Sequence, residues 1–173
     1  TYKNKSQALK NCKKVLKETK CDGIKLEGGR KLNGVIRYLT LNKIPVMGHI
    51  GITPQTIRGK YRYKGKTNLE KKKLIKDSKS LEEAGVFAIV LECVERKLSK
   101  QITETVKIPT IGIGSSKFCD GQILVTDDML GLTESKIKFV KKYIDLKKNI
   151  RQAVKKFKLD VKKSSYPSIK YSY

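Results

Sequence analysis

No two cysteines in this sequence stand at Cys-x-x-Cys spacing, and His49 has no second histidine to work with. Cys12, Cys21, Cys93 and Cys119 are scattered through helix-like, strand-like and loop contexts. That usage offers no cysteine–histidine cluster for zinc and no disulfide scaffold, and it suits a reduced, intracellular chain. Apolar runs stop short of the ~18 residues a membrane helix needs, so no membrane partner is expected. A secretory leader pattern is also missing, and a cytoplasmic location is the expectation. The chain opens on Thr1 rather than Met, which leaves room for something upstream. Acidic residues are scarce, 16 against 40 basic ones, for a formal charge of +24. Such an excess ordinarily points to nucleic acid. Here it is nearly all lysine, spread over every segment, whereas a phosphate-reading surface gathers arginine and aromatics together. A basic protein that binds nucleic acid or another partner without catalysis is the alternative reading, and no motif supports it.

What is present is alternation. A chain of 173 residues is the size of one domain and long enough to bury a core. Apolar residues at helical spacing predict a helix over 6–19 with Ser6 as its cap, and a second helix on Leu32, Val35, Ile36 and Leu39. A charged helix follows over 68–84, with Leu69, Leu74, Ile75 and Leu81 as its buried stripe. A short helix carries Leu98 and Ile102. Between these lie apolar, β-branched runs read as strands: 24–27, 44–49, 86–93, 108–116 and 122–125. Residues 126–131 read as a tight turn, and Lys136 onward as one or two lysine-rich helices. Residues 1–163 are expected to form one unit with these helices at its end, and 164–173 a flexible tail. The segment 51–67, with the basic and aromatic patch from Arg58 to Lys66, is longer than a connection needs and reads as a binding loop.

Five strands separated by crossover-length segments argue for a parallel α/β sheet. Polar residues fall at the strands' carboxyl ends: Lys25 and Glu27, His49, Glu92, then Ser115 and Ser116. In a wound sheet those positions converge on one rim, where a Lys, two Glu and the sole His would meet. Structural ion pairs produce the same pattern, and Ser115 and Ser116 could form nothing more than a turn. Cys93 and Cys119 read as packing thiols.

The segments Ile24-Lys25-Leu26-Glu27-Gly28-Gly29, Gly48-His49-Ile50-Gly51-Ile52-Thr53-Pro54-Gln55, Leu91-Glu92-Cys93-Val94, Ile111-Gly112-Ile113-Gly114 and Asp120-Gly121-Gln122-Ile123-Leu124-Val125 together resemble the ketopantoate hydroxymethyltransferase (3-methyl-2-oxobutanoate hydroxymethyltransferase) family. The resemblance runs to about residue 156. It implies a (β/α)8 TIM barrel of which strands four to eight are present here. It also implies hydroxymethyl transfer from 5,10-methylenetetrahydrofolate to 3-methyl-2-oxobutanoate, on the way to pantothenate and coenzyme A, with magnesium. Carried over residue by residue, Lys25 binds the keto acid, Glu27 belongs to the magnesium site, and Glu92 is the proton acceptor. His49 matches a residue of the substrate pocket. A homo-oligomer, a decamer, is implied by the same likeness. The chemistry suits those residue types, because removing a proton beside a ketone needs a poised base and a cation to draw charge onto the oxygen. Hard oxygen ligands favour magnesium over zinc. By the resemblance, the family's two metal-ligating aspartates lie upstream of Thr1. A carboxyl-terminal part, a barrel completed by a separate chain, or a decayed gene would each fit; the first is the reading adopted, and the isolated polypeptide is expected to be inactive.

Overall fold

Asn4 begins the fold: its side chain accepts the amide of Gln7 at 2.8 Å and so caps α1, Lys5–Thr19. The cap therefore falls two residues ahead of the Ser6 expected from sequence, because Asn satisfies a first-turn amide that Ser6, already helical, does not reach. The computed structural model describes residues 2, 4–56 and 62–173. The basic patch thus lies partly outside the described residues, from Arg58 to Tyr61.

Two compact units divide the chain, 1–123 and 124–173. In the first, β1 (Ile24–Glu27), β2 (Val46–Gly51), β3 (Ala88–Glu92), β4 (Thr110–Ile113) and β5 (Gly121–Gln122) form one sheet in chain order, every neighbouring pair parallel. A 3-10 turn (Arg30–Leu32) and α2 (Asn33–Leu41) link β1 to β2. The crossover to β3 is α3 (Asn68–Glu83), and α4 (Arg96–Thr105) leads to β4. Strand, helix and parallel strand repeated in this order make an α/β fold consistent with part of a TIM barrel.

The core follows from the patterning. Ile36 and Leu39 of α2, Leu81 of α3, and Leu98 and Ile102 of α4 pack against Val46, Ile50, Ile89 and Leu91 of the sheet, all buried. Each such side chain contributes about 1.5–3 kcal/mol over leaving it in water. Leu69 does not join them and is 80% exposed. The stripe of α3 runs through Leu74, Ser78 and Leu81, and at 3.6 residues per turn Leu69 sits roughly 150° around from its middle. Thr67 and Glu70 close the helix's start reciprocally: Thr67 Oγ1 accepts the Glu70 amide, and Glu70 Oε2 accepts the amides of Gly65 and Lys66.

β5 is shorter than the expected 122–125. Its register against β4 ends at Gly112–Gln122, after which the Ile123 amide makes one more bond to the Gly112 carbonyl. In the second unit, the expected turn at 126–131 is a single helical turn, α5 (Thr126–Met129). Helix α6 spans Leu146–Lys162, so the apolar residues Ile137, Val140 and Ile144 precede it. Asp145 fixes that start by accepting the Lys148 amide, while the amides of Tyr143 and Leu146 turn back to the carbonyls of Met129 and Leu130. A 3-10 turn covers Ile169–Tyr171. Among the described residues, no helix is long and apolar enough to cross a membrane.

Candidate active site

The carboxyl ends of β1, β2 and β3 lie side by side because the register pairs Glu27 with His49, and Gly51 with Glu92. Alternation along each strand then decides which side chains meet. His49 is fully buried at the centre. Its Nδ1 lies 3.3 Å from the Lys25 ammonium and 3.8 Å from Glu27 Oε1. On the other side of the ring, Glu92 Oε2 is 3.3 Å from Nε2. That oxygen sits off the line of a ring N–H, and Nε2 has no hydrogen-bond partner. Lys25, Glu27, His49 and Glu92, the four residues singled out from the sequence, are thus gathered at one rim.

Each carboxylate is held differently. Glu27 is 6% exposed, and its Oε2 accepts the Gln55 amide at 2.9 Å. Tyr2 braces that loop by donating its hydroxyl to Gln55 Oε1 at 3.0 Å. Burial, reinforced by the charge of Glu27, raises the Tyr2 phenol's pKa. Glu92 keeps 13% of its side chain exposed, so its carboxylate is not sealed from solvent. Its backbone is fixed by close approach: the Ile52 amide donates to the Glu92 carbonyl at 2.8 Å. Gly51 makes room with φ +101°, and a Cβ there would stand 2.1 Å from that carbonyl oxygen. Beside the rim, a cavity of about 480 Å³ is lined by Glu27, Gly28, Gly29, Thr53 and Asp77 among others.

The corner after β1 is gripped from α3. Asp77, buried, accepts the Arg30 amide at 3.1 Å and the Lys73 ammonium at 2.6 Å. Its carboxyl occupies the space a Cβ on Gly29 would need, 2.4 Å away.

Ser115 and Ser116 are not drawn into the rim. The Ser115 hydroxyl donates to the Leu91 carbonyl at 2.6 Å and accepts the Val94 amide at 3.1 Å, tying β3 to the segment after β4. Ser116 Oγ accepts the Phe118 amide in a turn. Cys93 is buried with a thiol pushed up to about 11 by burial and by the neighbouring Glu92 charge, which makes it a packing thiol. Gln55, Tyr2 and Asp77 went unnoticed in the sequence. Gln55 falls within a motif already quoted, but nothing in the string of residues says that its backbone amide meets Glu27.

Among the described residues there is no group of three or more His, Cys, Asp or Glu that could hold a metal ion. Glu27 offers a single hard oxygen ligand, since Oε1 is free of the Gln55 bond. Magnesium commonly binds through one or two carboxylates together with water and substrate oxygens, so this residue fits such an ion as one of its ligands.

The family described as ketopantoate hydroxymethyltransferase matches residues 1–169. The chain is 56% identical over its whole length to a 3-methyl-2-oxobutanoate hydroxymethyltransferase of Pelagibacter ubique (strain HTCC1062), covering 67% of that protein. It is 48% identical to the enzyme so named from Helicobacter pylori (strain Shi470) and 44% identical to that of Aliarcobacter butzleri (strain RM4018), covering 65% of each. The 173 residues therefore span about two thirds of the length of these relatives.

Proposed function

The chain belongs to the ketopantoate hydroxymethyltransferase family, and on that premise we propose that it serves hydroxymethyl transfer from 5,10-methylenetetrahydrofolate to 3-methyl-2-oxobutanoate, giving 2-dehydropantoate for pantothenate and coenzyme A synthesis. Its five strands are read as the fourth to eighth of an eight-strand barrel, in a homo-oligomeric enzyme. The observation that carries the reading is the meeting of Lys25, Glu27 and Glu92 around one buried imidazole, within 3.3–3.8 Å of its nitrogens. A scattered cationic surface offers no comparable arrangement for the nucleic-acid alternative.

In this reading Lys25 holds the carboxylate of the keto acid, which an ammonium does as a point charge. Glu92 takes the proton from C3, leaving an enolate whose carbon bonds to the folate methylene carbon as that carbon's bond to N10 breaks; water then displaces N5, so that the methylene group becomes the hydroxymethyl group and tetrahydrofolate leaves. His49 lies in the same pocket between them. Glu27 would hold the magnesium ion, which when bound supplies charge to the keto oxygen as the proton leaves. The Gln55 amide fixes Glu27 Oε2 and leaves Oε1, 3.8 Å from His49 Nδ1, for that duty.

The test is solvent exchange at C3 of 3-methyl-2-oxobutanoate, followed by proton NMR in D2O with magnesium. Exchange that Glu92→Gln lowers by about 10²–10⁴-fold is expected, the usual yield of a positioned base. Equal exchange in the two proteins would overturn the reading. Complete transfer is a stricter demand. With one carboxylate for the cation, the 173 residues without a partner are expected to release no tetrahydrofolate.

A further inference from the structure

His49 Nε2 stands out among the described residues as a buried side-chain nitrogen with no hydrogen-bond partner. Leaving such a group unmatched is costly, and its surroundings say what it is for. A lysine ammonium has three donors and no acceptor. With Lys25 Nζ 3.3 Å from Nδ1, that nitrogen must accept, and a neutral ring then carries its proton on Nε2. Glu27 Oε1, at 3.8 Å, is too far from Nδ1 to compete as a hydrogen-bond acceptor. The Nε2 proton therefore lies on the side of the ring where Glu92 Oε2 waits at 3.3 Å, off line. The last torsion of a glutamate is broad and soft, so a modest turn of the carboxylate completes the bond.

We propose that His49 is a positioning residue: with its tautomer set by Lys25, it ties down Oε2 of Glu92 when substrate fills the site and leaves Oε1 as the oxygen that meets the C3 proton. This rests on the reading of Glu92 as the base. Lys25 has donors to spare, so it holds the keto acid's carboxylate while keeping Nδ1. Full burial of His49 agrees with a side chain that acts through its neighbour rather than by touching substrate.

Because the chain has one histidine, labelling histidine with ¹⁵N gives a single pair of ring signals from the whole protein. Under mildly alkaline conditions Nδ1 is expected to appear as an acceptor nitrogen and Nε2 as a protonated one. Lys25→Met should erode that preference, and Glu92→Gln should move the Nε2–H resonance. A proton on Nδ1, protons on both nitrogens, or a spectrum indifferent to either substitution would overturn the assignment. In C3 exchange, His49→Asn should lower kcat about 10–100-fold, as loss of an orienting partner does, with KM nearly unchanged. His49→Gln, whose amide nitrogen reaches the place of Nε2, should recover part of it. A raised KM with kcat intact would make His49 a substrate contact instead and sink the proposal. If 3-methyl-2-oxobutanoate with magnesium moves no signal of the protein, the functional reading fails while the tautomer result stands, so the two failures are told apart.

Discussion

The edge of the sheet where β4 and β5 begin and the carboxyl rim of β1–β3 use the same kinds of side chain for opposite purposes. At the β4–β5 end, Asp120 Oδ2 accepts both the amide of Thr110, at 2.7 Å, and its hydroxyl, at 2.9 Å. The hydroxyls of Thr110 and Thr103 bond each other at 2.8 Å, and Gln122 donates to the Ser116 carbonyl. Every one of these groups is engaged with backbone or with a hydroxyl. At the β1–β3 end, charged side chains face one another around His49, and a ring nitrogen is left over. A carboxylate answered by backbone amides is held as scaffold, whereas Glu92, faced only by the His49 ring, has both oxygens uncommitted; Glu27 stands between the two, with Oε2 on the Gln55 amide and Oε1 toward His49. Asp77, Glu95 and Glu70 fall with Asp120 in the first class, each accepting backbone amides.

The contrast breaks most directly at Gly51, which belongs to both tasks. Gly51→Ala adds a Cβ against the Glu92 carbonyl at a backbone angle that other residues resist, and is expected to cost at least about 3 kcal/mol. Urea denaturation reads this; a cost below about 1 kcal/mol would mean that the strand ends yield easily. Next come the carboxylates themselves. Asp77→Asn removes the charge that answers Lys73 and is expected to cost about 2 kcal/mol, and Asp120→Asn about 1 kcal/mol. Glu92→Gln should leave stability within about 0.5 kcal/mol of wild type, as changes away from structural partners do. If Glu92→Gln destabilises as much as Asp77→Asn, the division between scaffold and site collapses.

The acid limb of stability sharpens the same comparison. Hydrogen bonds from the amides of Thr110, Lys97 and Lys66 hold the pKa values of Asp120, Glu95 and Glu70 below the ordinary carboxylate range. A carboxylate depressed in the folded state contributes fully above its unfolded value of about 4, and that contribution is lost as pH falls through the folded value. Unfolding free energy should therefore drop below about pH 4, and Asp120→Asn should flatten the drop. The smallest effect concerns thiols. Cys21 is exposed and Cys93 is buried with its thiol pushed up to about 11, so iodoacetamide near neutral pH should label residue 21 and spare residue 93 in the folded chain.

The clustering of the candidate site was legible where chemistry and periodicity coincide. Lys25, Glu27, His49 and Glu92 close apolar runs, and a charge at the end of a buried strand is visible in a string of letters. The parallel order of five strands followed from the same alternation. What escaped was whatever depends on a backbone amide of a distant segment: Gln55 reaching Glu27, Asp77 reaching Arg30, and Asn4 displacing Ser6 as the first cap. Leu69 misled because it is apolar yet lies off the stripe its neighbours define. Ile137, Val140 and Ile144 misled because helical spacing among three residues carries no information about the turn that pulls their backbone back to Met129 and Leu130.

The grip of α3 on the Gly28–Gly29 corner reaches beyond local order. Since the Asp77 carboxyl fills the hollow beneath Gly29 and bonds the next amide, that helix and the end of β1 travel as one piece. Remote substitutions on the solvent side of α3, beginning at Lys73, are therefore a handle by which an engineer could retune the reach of residue 27 without editing Lys25, His49 or Glu92.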